Sequence, residues 1–245
     1  MNGGIQFAPA AMRRAVAGGL PRRFVGTPWG RRAVAGLLSA AFIAGAGGFL
    51  LAPAATVAQV APEEPQALIE RKVQELLDQF TARRAELEAD RRALFGLVDQ
   101  VASPLFDFER IAKLVLAQNW RRASAEQRAE FRDAFRQLLI ATYATALHQY
   151  SGDERMTFTA SKITERKGRK FAQVSSEVTL ADGAEPIAVE YALLLDKRGA
   201  WKIYNLTVGS LNMIVNYRNA YASSVGELGI DGVIAEMKRV NAGNF

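Results

Sequence analysis

The sequence predicts an α+β domain in which helices pack against an antiparallel sheet of four strands. Apolar residues recur at every third or fourth position as far as Gly152, and at every second position from there to residue 208. The breaks between the strand segments are too short for crossover helices, so neighbouring strands should be antiparallel. Helical spacing returns after Gly209. Helices, then strands, then helices is the order typical of this class.

Four helices are expected before the sheet. Apolar residues over 68–80 have helical spacing and follow a proline-rich segment that is suited to a helix start. A second helix is expected over about 83–102, ending before Pro104. Asp107 is placed to cap a short third helix. Ser124 with Gln127 forms a capping-box pattern that begins a long fourth helix of about 26 residues.

The four strands are predicted from alternation and from the turn residues between them. Their segments are 155–165, 170–180, 186–196 and 200–208. The turn signals are Lys167-Gly168-Arg169, Asp182-Gly183 and Lys197-Arg198-Gly199. A helix is expected after Gly209 and a last one over about 231–240, after Gly229.

The charge of the chain is concentrated in its first 58 residues. The formal net charge is +6, from 31 basic and 25 acidic residues, and residues 1–58 contain six arginines and no other charged residue. The remaining 25 basic residues therefore balance the 25 acidic ones. Uncharged residues 33–51 and the small residues after them follow the arginines, which is the order of a secretory signal, with cleavage after Ala54 or Ala58. We predict a targeting segment at 1–58 and one domain at 59–245; an uncleaved anchor at 33–51 is the alternative.

Composition and motifs argue against most kinds of catalysis. The chain has no cysteine and a single histidine, His148, so thiolate and multi-histidine metal sites are excluded. The sequence shows neither a phosphate-binding glycine loop followed by a helix nor a G-x-S-x-G elbow. The neutral domain lacks the basic surface expected for nucleic-acid binding. We therefore predict a binding protein rather than an enzyme, with no cofactor and no metal. The apolar residues could form an ordinary core or line an apolar pocket.

Two groups of short motifs, in their order and spacing, resemble one known family. The first group is Phe106-Asp107-Phe108, Ile111-Ala112, Val115-Leu116, Trp120-Arg121, Ala123-Ser124, Gln127-Arg128, Phe131, Phe135, Leu138-Leu139, Thr142-Tyr143-Ala144 and Leu147. The second is Trp201-Lys202-Ile203-Tyr204, Asn216-Tyr217-Arg218-Asn219 and Gly229-Ile230-Asp231-Gly232-Val233-Ile234. Over about 65–242 the chain resembles the MlaC/toluene-tolerance family of periplasmic phospholipid-binding proteins, which includes a hopanoid-associated branch. It departs from the family at Ala117, where glycine is usual, at Asn205, where aspartate is usual, and at 210–212.

The resemblance implies an NTF2-like fold with an apolar pocket for the acyl chains of a phospholipid or a hopanoid-type lipid. The protein would carry lipid through the periplasm between an outer-membrane lipoprotein complex and an inner-membrane ABC transporter. The predicted lipid-binding residues are Phe135, Leu139, Tyr143, Leu147, Val189, Tyr191, Leu193, Trp201 and Ile203. Tyr217 and Arg218 are candidates for partner docking or headgroup contact, with helix packing as the alternative.

Two other functions remain open. The same fold class could support a small-molecule enzyme, which would need a polar group of residues, such as a paired aspartate and tyrosine, inside its cavity. The chain could instead be a membrane-anchored adaptor of a lipid pathway, held by residues 33–51. An intact N-terminus would favour the adaptor.

Overall fold

The computed structural model of the protein describes residues 62–147, 150–180 and 185–244. The helices are α1 (Pro65–Ala82), α2 (Arg84–Ala89), α3 (Arg91–Ala102), α4 (Phe108–Leu116), α5 (Asn119–Arg122), α6 (Ala125–Leu147) and α7 (Met213–Asn244). The strands are β1 (Arg155–Arg166), β2 (Arg169–Thr179), β3 (Ile187–Leu195), β4 (Trp201–Val208) and β5 (Leu211–Asn212). The predictions for residues 1–58, for His148 and for the Asp182-Gly183 turn lie outside the described residues.

The strands form one antiparallel sheet in the order β1-β2-β3-β4-β5, which confirms the α+β class. The four predicted strands agree with the observed ones to within two residues at each end. The fifth strand was not predicted, because its two residues are too few to show alternation. It pairs with Thr207 and Val208 across a turn at Gly209, whose φ is +58°. Positive φ is readily available to glycine.

The second predicted helix is wrong as a single element, because the chain breaks at Asp90. That residue is extended, with φ −121° and ψ 102°, so it separates α2 from α3. Its carboxylate accepts hydrogen bonds from the backbone N–H groups of Arg92 (2.8 Å) and Ala93 (3.3 Å). Asp90 is thus the N-cap of α3, and it satisfies donors that would otherwise lack partners.

Both predicted caps farther along the chain are confirmed. Asp107 Oδ1 accepts from the Arg110 N–H at 2.9 Å and begins α4. At the start of α6 the Gln127 N–H donates to Ser124 Oγ at 3.1 Å, and the Ser124 N–H donates to Gln127 Oε1 at 3.0 Å. This reciprocal pair is the capping box.

The last two predicted helices are joined into α7, with a break at Gly229. Its φ of 70° and ψ of 176° interrupt an otherwise continuous helical segment. A side chain at this φ would be strained, so glycine suits the position. None of the helices in the described ranges is long and apolar enough to cross a membrane.

The buried apolar residues form two clusters. The sheet cluster joins the inner face of the sheet to α4, α6 and α7; its largest fully buried members include Phe131, Phe135 and Leu193. The helical cluster joins α1, α2 and α3 to the second half of α6, around Phe80 and Leu87. Helix α6 therefore belongs to both clusters.

Candidate functional site

Eight of the nine predicted lipid-binding residues come together in the sheet cluster. Seven of them are buried, and Tyr143 is half-buried against the same cluster. The seven are Phe135, Leu139, Val189, Tyr191, Leu193, Trp201 and Ile203. Leu147 lies apart from this set, because it packs against the helical cluster at the end of α6. The sheet face selected from the sequence is thus the face that packs against the helices.

A bulge in β4 alters which of its residues face inward. Ala192 pairs with Asn205 but the next residue, Leu193, pairs with Ile203, so Tyr204 is an extra residue in the ladder. Trp201 and Ile203 before the bulge, and Leu206 after it, consequently belong to the sheet cluster. Strict alternation would have placed Asn205 on that face. Its Oδ1 instead accepts the Ile214 N–H at 3.2 Å and fixes the start of α7 to the sheet.

Four aromatic rings pack together between α6 and α7. The rings of Phe135 and Tyr217 meet edge to face with centroids 4.9 Å apart. Phe131 and Phe135 are stacked at 5.8 Å, and Tyr217 and Tyr221 at 6.1 Å. These distances and angles are those of favourable aromatic pairs. Tyr217 therefore packs between helices, whereas Arg218 beside it uses Nε to donate to the Leu114 carbonyl at 2.9 Å.

Besides Tyr217 and Tyr221, this largely apolar region contains the hydroxyl groups of Tyr143, Tyr191 and Ser176, which we call the hydroxyl cluster. Tyr143 donates to the Sδ of Met213 at 3.9 Å, and Tyr191 to the Sδ of Met156 at 4.0 Å. Thioether sulfur is a weak acceptor. Burial raises the pKa of Tyr143 well above its usual range, and the nearby Tyr217 and Tyr191 add to that effect. Burial also raises the pKa of Tyr191, partly opposed by the neighbouring Ser176 hydroxyl.

A cavity of about 240 Å³ lies between α4 and α7, at the edge of the sheet cluster. Its inner wall is apolar and its outer wall carries exposed or half-buried polar groups and one positive charge. The lining residues are Val115, Leu116, Tyr221 and Val225 on the apolar side, and Ala117, Gln118, Asn119, Arg218 and Ala222 toward the surface. We call this opening the α4–α7 mouth.

A second, larger cavity of about 540 Å³ is an open groove with mixed charge. Its acidic and basic side chains include Arg132, which pairs with Asp133 at 2.8 Å, and Arg136, which pairs with Asp99 at 2.8 Å. These partly exposed pairs are typical of a solvated surface. Among the described residues no group of acidic or histidine side chains is arranged to hold a metal ion.

Comparison with known proteins identifies the family. The model of the MlaC protein family matches residues 70–239, which is more than half of the chain. The chain belongs to the MlaC family. A family member from Haemophilus influenzae, the intermembrane phospholipid transport system binding protein MlaC, is 25% identical over 181 residues, covering 74% of this chain and 83% of the relative. The toluene tolerance protein Ttg2D of Pseudomonas putida is 26% identical over 173 residues, covering 70% and 78%.

A solved structure extends the family likeness to the fold. The phospholipid-binding protein of Ralstonia solanacearum, determined in complex with a phospholipid, matches with a TM-score of 0.65 and 26% identity. The match covers 74% of this chain and 99% of that protein. The described α+β domain therefore has the fold of a protein that holds a phospholipid.

Ser176 and the α4–α7 mouth were not among the residues predicted from the sequence. Ser176 occupies an inward position of β2, in line with Ala172, Val174 and Val178. A serine interrupting that apolar series was the available signal. The mouth had no comparable signal, because its residues come from two helices that are about 100 positions apart in the chain.

Proposed function

We propose that this protein is a periplasmic phospholipid carrier that holds acyl chains between α6, α7 and the inner face of the sheet. The observation that carries the proposal is the single buried apolar surface formed by the predicted residues, in a fold whose solved match holds a phospholipid. The proposed lining consists of the eight predicted lipid-binding residues that lie in the sheet cluster. The proposed entry route for the acyl chains is the α4–α7 mouth.

The physical reason for such a carrier is the cost of exposing an acyl chain to water. Each methylene contributes about 0.8 kcal/mol, so a chain of about sixteen carbons costs about 12 kcal/mol to expose. A lining as apolar as the membrane interior makes transfer nearly neutral in free energy. The bound lipid could then return to a membrane without a large cost in free energy.

Loading must widen the interior. The 240 Å³ of the α4–α7 mouth is less than the roughly 300–1,000 Å³ of ordinary small-molecule sites. Two acyl chains would need more. In the proposed mechanism α6 and α7 move away from the sheet as the chains enter, while α6 keeps its contacts in the helical cluster.

The finer steps are part of the same proposal. Residues 1–58 would direct export and be removed, leaving the 59–245 domain in the periplasm. An inner-membrane ABC transporter and an outer-membrane lipoprotein complex would exchange lipid with it. Because the domain is formally neutral, long-range attraction to anionic membranes would be weak, and docking would depend on local contacts.

Mass spectrometry of the full chain, expressed in bacteria with two membranes, tests the proposal. Native spectra should show a phospholipid adduct, and denatured spectra should show an N-terminus after Ala54 or Ala58. A hopanoid-type adduct would show that the ligand is a hopanoid lipid instead of a phospholipid. A retained segment 33–51 without bound lipid would support the adaptor function instead. Failure to take up phospholipid both in cells and from vesicles would overturn the carrier function.

A matched pair of variants tests the mouth. Val225→Trp places a bulky side chain in the α4–α7 mouth, whereas Val215→Trp makes the same change at a position of α7 that is 50% exposed. Uptake from vesicles should slow in the first variant and stay at the wild-type rate in the second. Equal rates in all three proteins would place the entry route elsewhere.

A further inference from the structure

The hydroxyl cluster is short of good hydrogen-bond acceptors. Ser176 is 1% exposed, and its Oγ has no hydrogen-bond partner among the described residues. The hydroxyl of Tyr143 reaches the thioether sulfur of Met213 at 3.9 Å. The hydroxyl of Tyr191 reaches the sulfur of Met156 at 4.0 Å and has the Ser176 hydroxyl beside it. Leaving a buried hydroxyl without a good partner is unfavourable, so buried polar groups are usually satisfied. Even if Tyr191 and Ser176 pair with each other, the three hydroxyls have more donors than oxygen acceptors, which indicates that a ligand completes their hydrogen bonds.

The three side chains converge from different elements on the same interior region. Ser176 pairs with Val189 across β2 and β3, and Tyr191 pairs with Val174, so Ser176 and Tyr191 are diagonal neighbours on the inner face. Tyr143 approaches from α6, and Tyr191 is one of the two ionisable groups that act on it. A ligand between α6 and the sheet would contact all three.

The chemistry of the cluster selects the kind of ligand group. Because thioether sulfur is a weak acceptor, these hydroxyl donors would bond more strongly to an oxygen atom. A carbonyl oxygen has two lone pairs and can accept from two of them. The ionisable neighbours of Tyr143 are tyrosines, which are neutral at physiological pH. Since no described cation acts on Tyr143, a buried phosphate there would lack a compensating charge and would be strongly disfavoured. The matching group is therefore neutral and accepts hydrogen bonds.

We propose that Tyr143, Tyr191 and Ser176 bind the ester carbonyl oxygens of the phospholipid. This inference rests on the proposed carrier function and adds a basis for selection to it. The protein would recognise the linkage between glycerol and acyl chain, and would prefer ester lipids to ether lipids with the same chains and headgroup. The acyl chains beyond that linkage would contact only apolar side chains.

Competition between two lipids tests the proposal. The full chain is incubated with vesicles that contain equal amounts of a diacyl phosphatidylethanolamine and its dialkyl ether analogue, and native mass spectrometry measures which lipid is bound. Two or three hydrogen bonds of ordinary strength predict a preference of about 10- to 100-fold for the diacyl lipid. The ester carbonyl stretch of bound diacyl lipid should also move to lower frequency than in the vesicle.

Conservative variants and matched controls localise the effect. Tyr143→Phe and Ser176→Ala each remove one hydroxyl, and should reduce the preference severalfold and return the carbonyl stretch toward its vesicle value. The controls are Tyr204→Phe and Ser175→Ala, which make the same changes on the opposite face of the sheet. Both controls should keep the wild-type preference.

The possible results separate this inference from the carrier function. Equal uptake of both lipids by the wild type, or an undiminished preference in both Tyr143→Phe and Ser176→Ala, would overturn ester recognition while leaving phospholipid binding intact. Uptake of neither lipid would overturn the carrier function itself. Thermal unfolding of every variant shows whether a lost preference comes from an unfolded protein.

Discussion

Replacing Ala117 with glycine is expected to stabilise the protein, because Ala117 has a backbone conformation that suits glycine. It follows α4 with φ 50° and ψ −117°. These angles match the first central position of a type II′ turn, where positive φ favours glycine. Any other residue there is strained by contacts of its Cβ with the backbone. The side chain is exposed, so removing its methyl group loses little packing.

The magnitude follows from two opposing effects. Relief of strain at such a position contributes about 1–3 kcal/mol. The extra freedom of glycine in the unfolded chain opposes this by about 0.4–1 kcal/mol. The net expectation is a gain of about 1 kcal/mol, equivalent to about 2–4 °C in Tm for a domain of this size. A matched control is Ala235→Gly, at an exposed position inside α7, which should destabilise by about 1 kcal/mol.

The assay is urea unfolding followed by circular dichroism, with lipid extracted beforehand so that bound ligand does not contribute to stability. The denaturation midpoint should rise for Ala117→Gly and fall for Ala235→Gly, with the slope unchanged in both. If Ala117→Gly lowers the midpoint as much as Ala235→Gly does, Ala117 is not strained in this turn.

Three further changes have expected outcomes. Asp90→Ala should destabilise by about 1 kcal/mol in urea, because it removes the N-cap of α3; Asp90→Asn is the control and should keep most of the stability. Lys167→Asn should stabilise by a few tenths of a kcal/mol, because Lys167 has φ 53° in the β1–β2 turn and asparagine tolerates positive φ; a lower Tm would contradict this. Burial raises the pKa of Tyr143 in the folded protein, so above about pH 10 this hydroxyl ionises more readily in the unfolded chain than in the folded one. The folded protein therefore loses stability as the pH rises from about 10 toward the folded pKa of Tyr143. Tyr143→Phe should therefore lose less stability between about pH 9 and pH 11 than Tyr204→Phe, and identical losses would contradict the buried hydroxyl.

The elements that the sequence predicted are those defined by local chemistry. The capping box at Ser124, the cap at Asp107 and the positive-φ turn at Gly168 each depend on residues within three or four positions. These caps and this turn were confirmed. The shared face of Val189, Tyr191 and Leu193 in β3 also follows from local alternation, but alternation does not decide which face of the sheet meets the helices.

The features that were missed depend on contacts between distant parts of the chain or on irregular backbone. The break at Asp90 lies in a run of charged residues without glycine or proline, where periodicity continues through it. The bulge in β4 reverses the alternation between Ile203 and Leu206, which no local pattern reveals. In the candidate site, Leu147 lies apart from the other predicted residues because a helix turns about 100° per residue. Twelve positions after Phe135, Leu147 is about 120° around α6 and packs against the helical cluster.

The division of the apolar core into two clusters has a consequence for how the protein opens. Helix α6 contributes Phe135 to the sheet cluster and Ala144 to the helical cluster, so one helix is held from two sides. Segments with separate cores unfold with separate free energies, which amide hydrogen exchange measures residue by residue. Filling or emptying the space between α6 and the sheet should change the rates of amide hydrogen exchange in β3 and α7. The amides of α3 should stay protected from exchange in both states. The helical cluster would then preserve the order of α6 while its other side gains and loses a ligand.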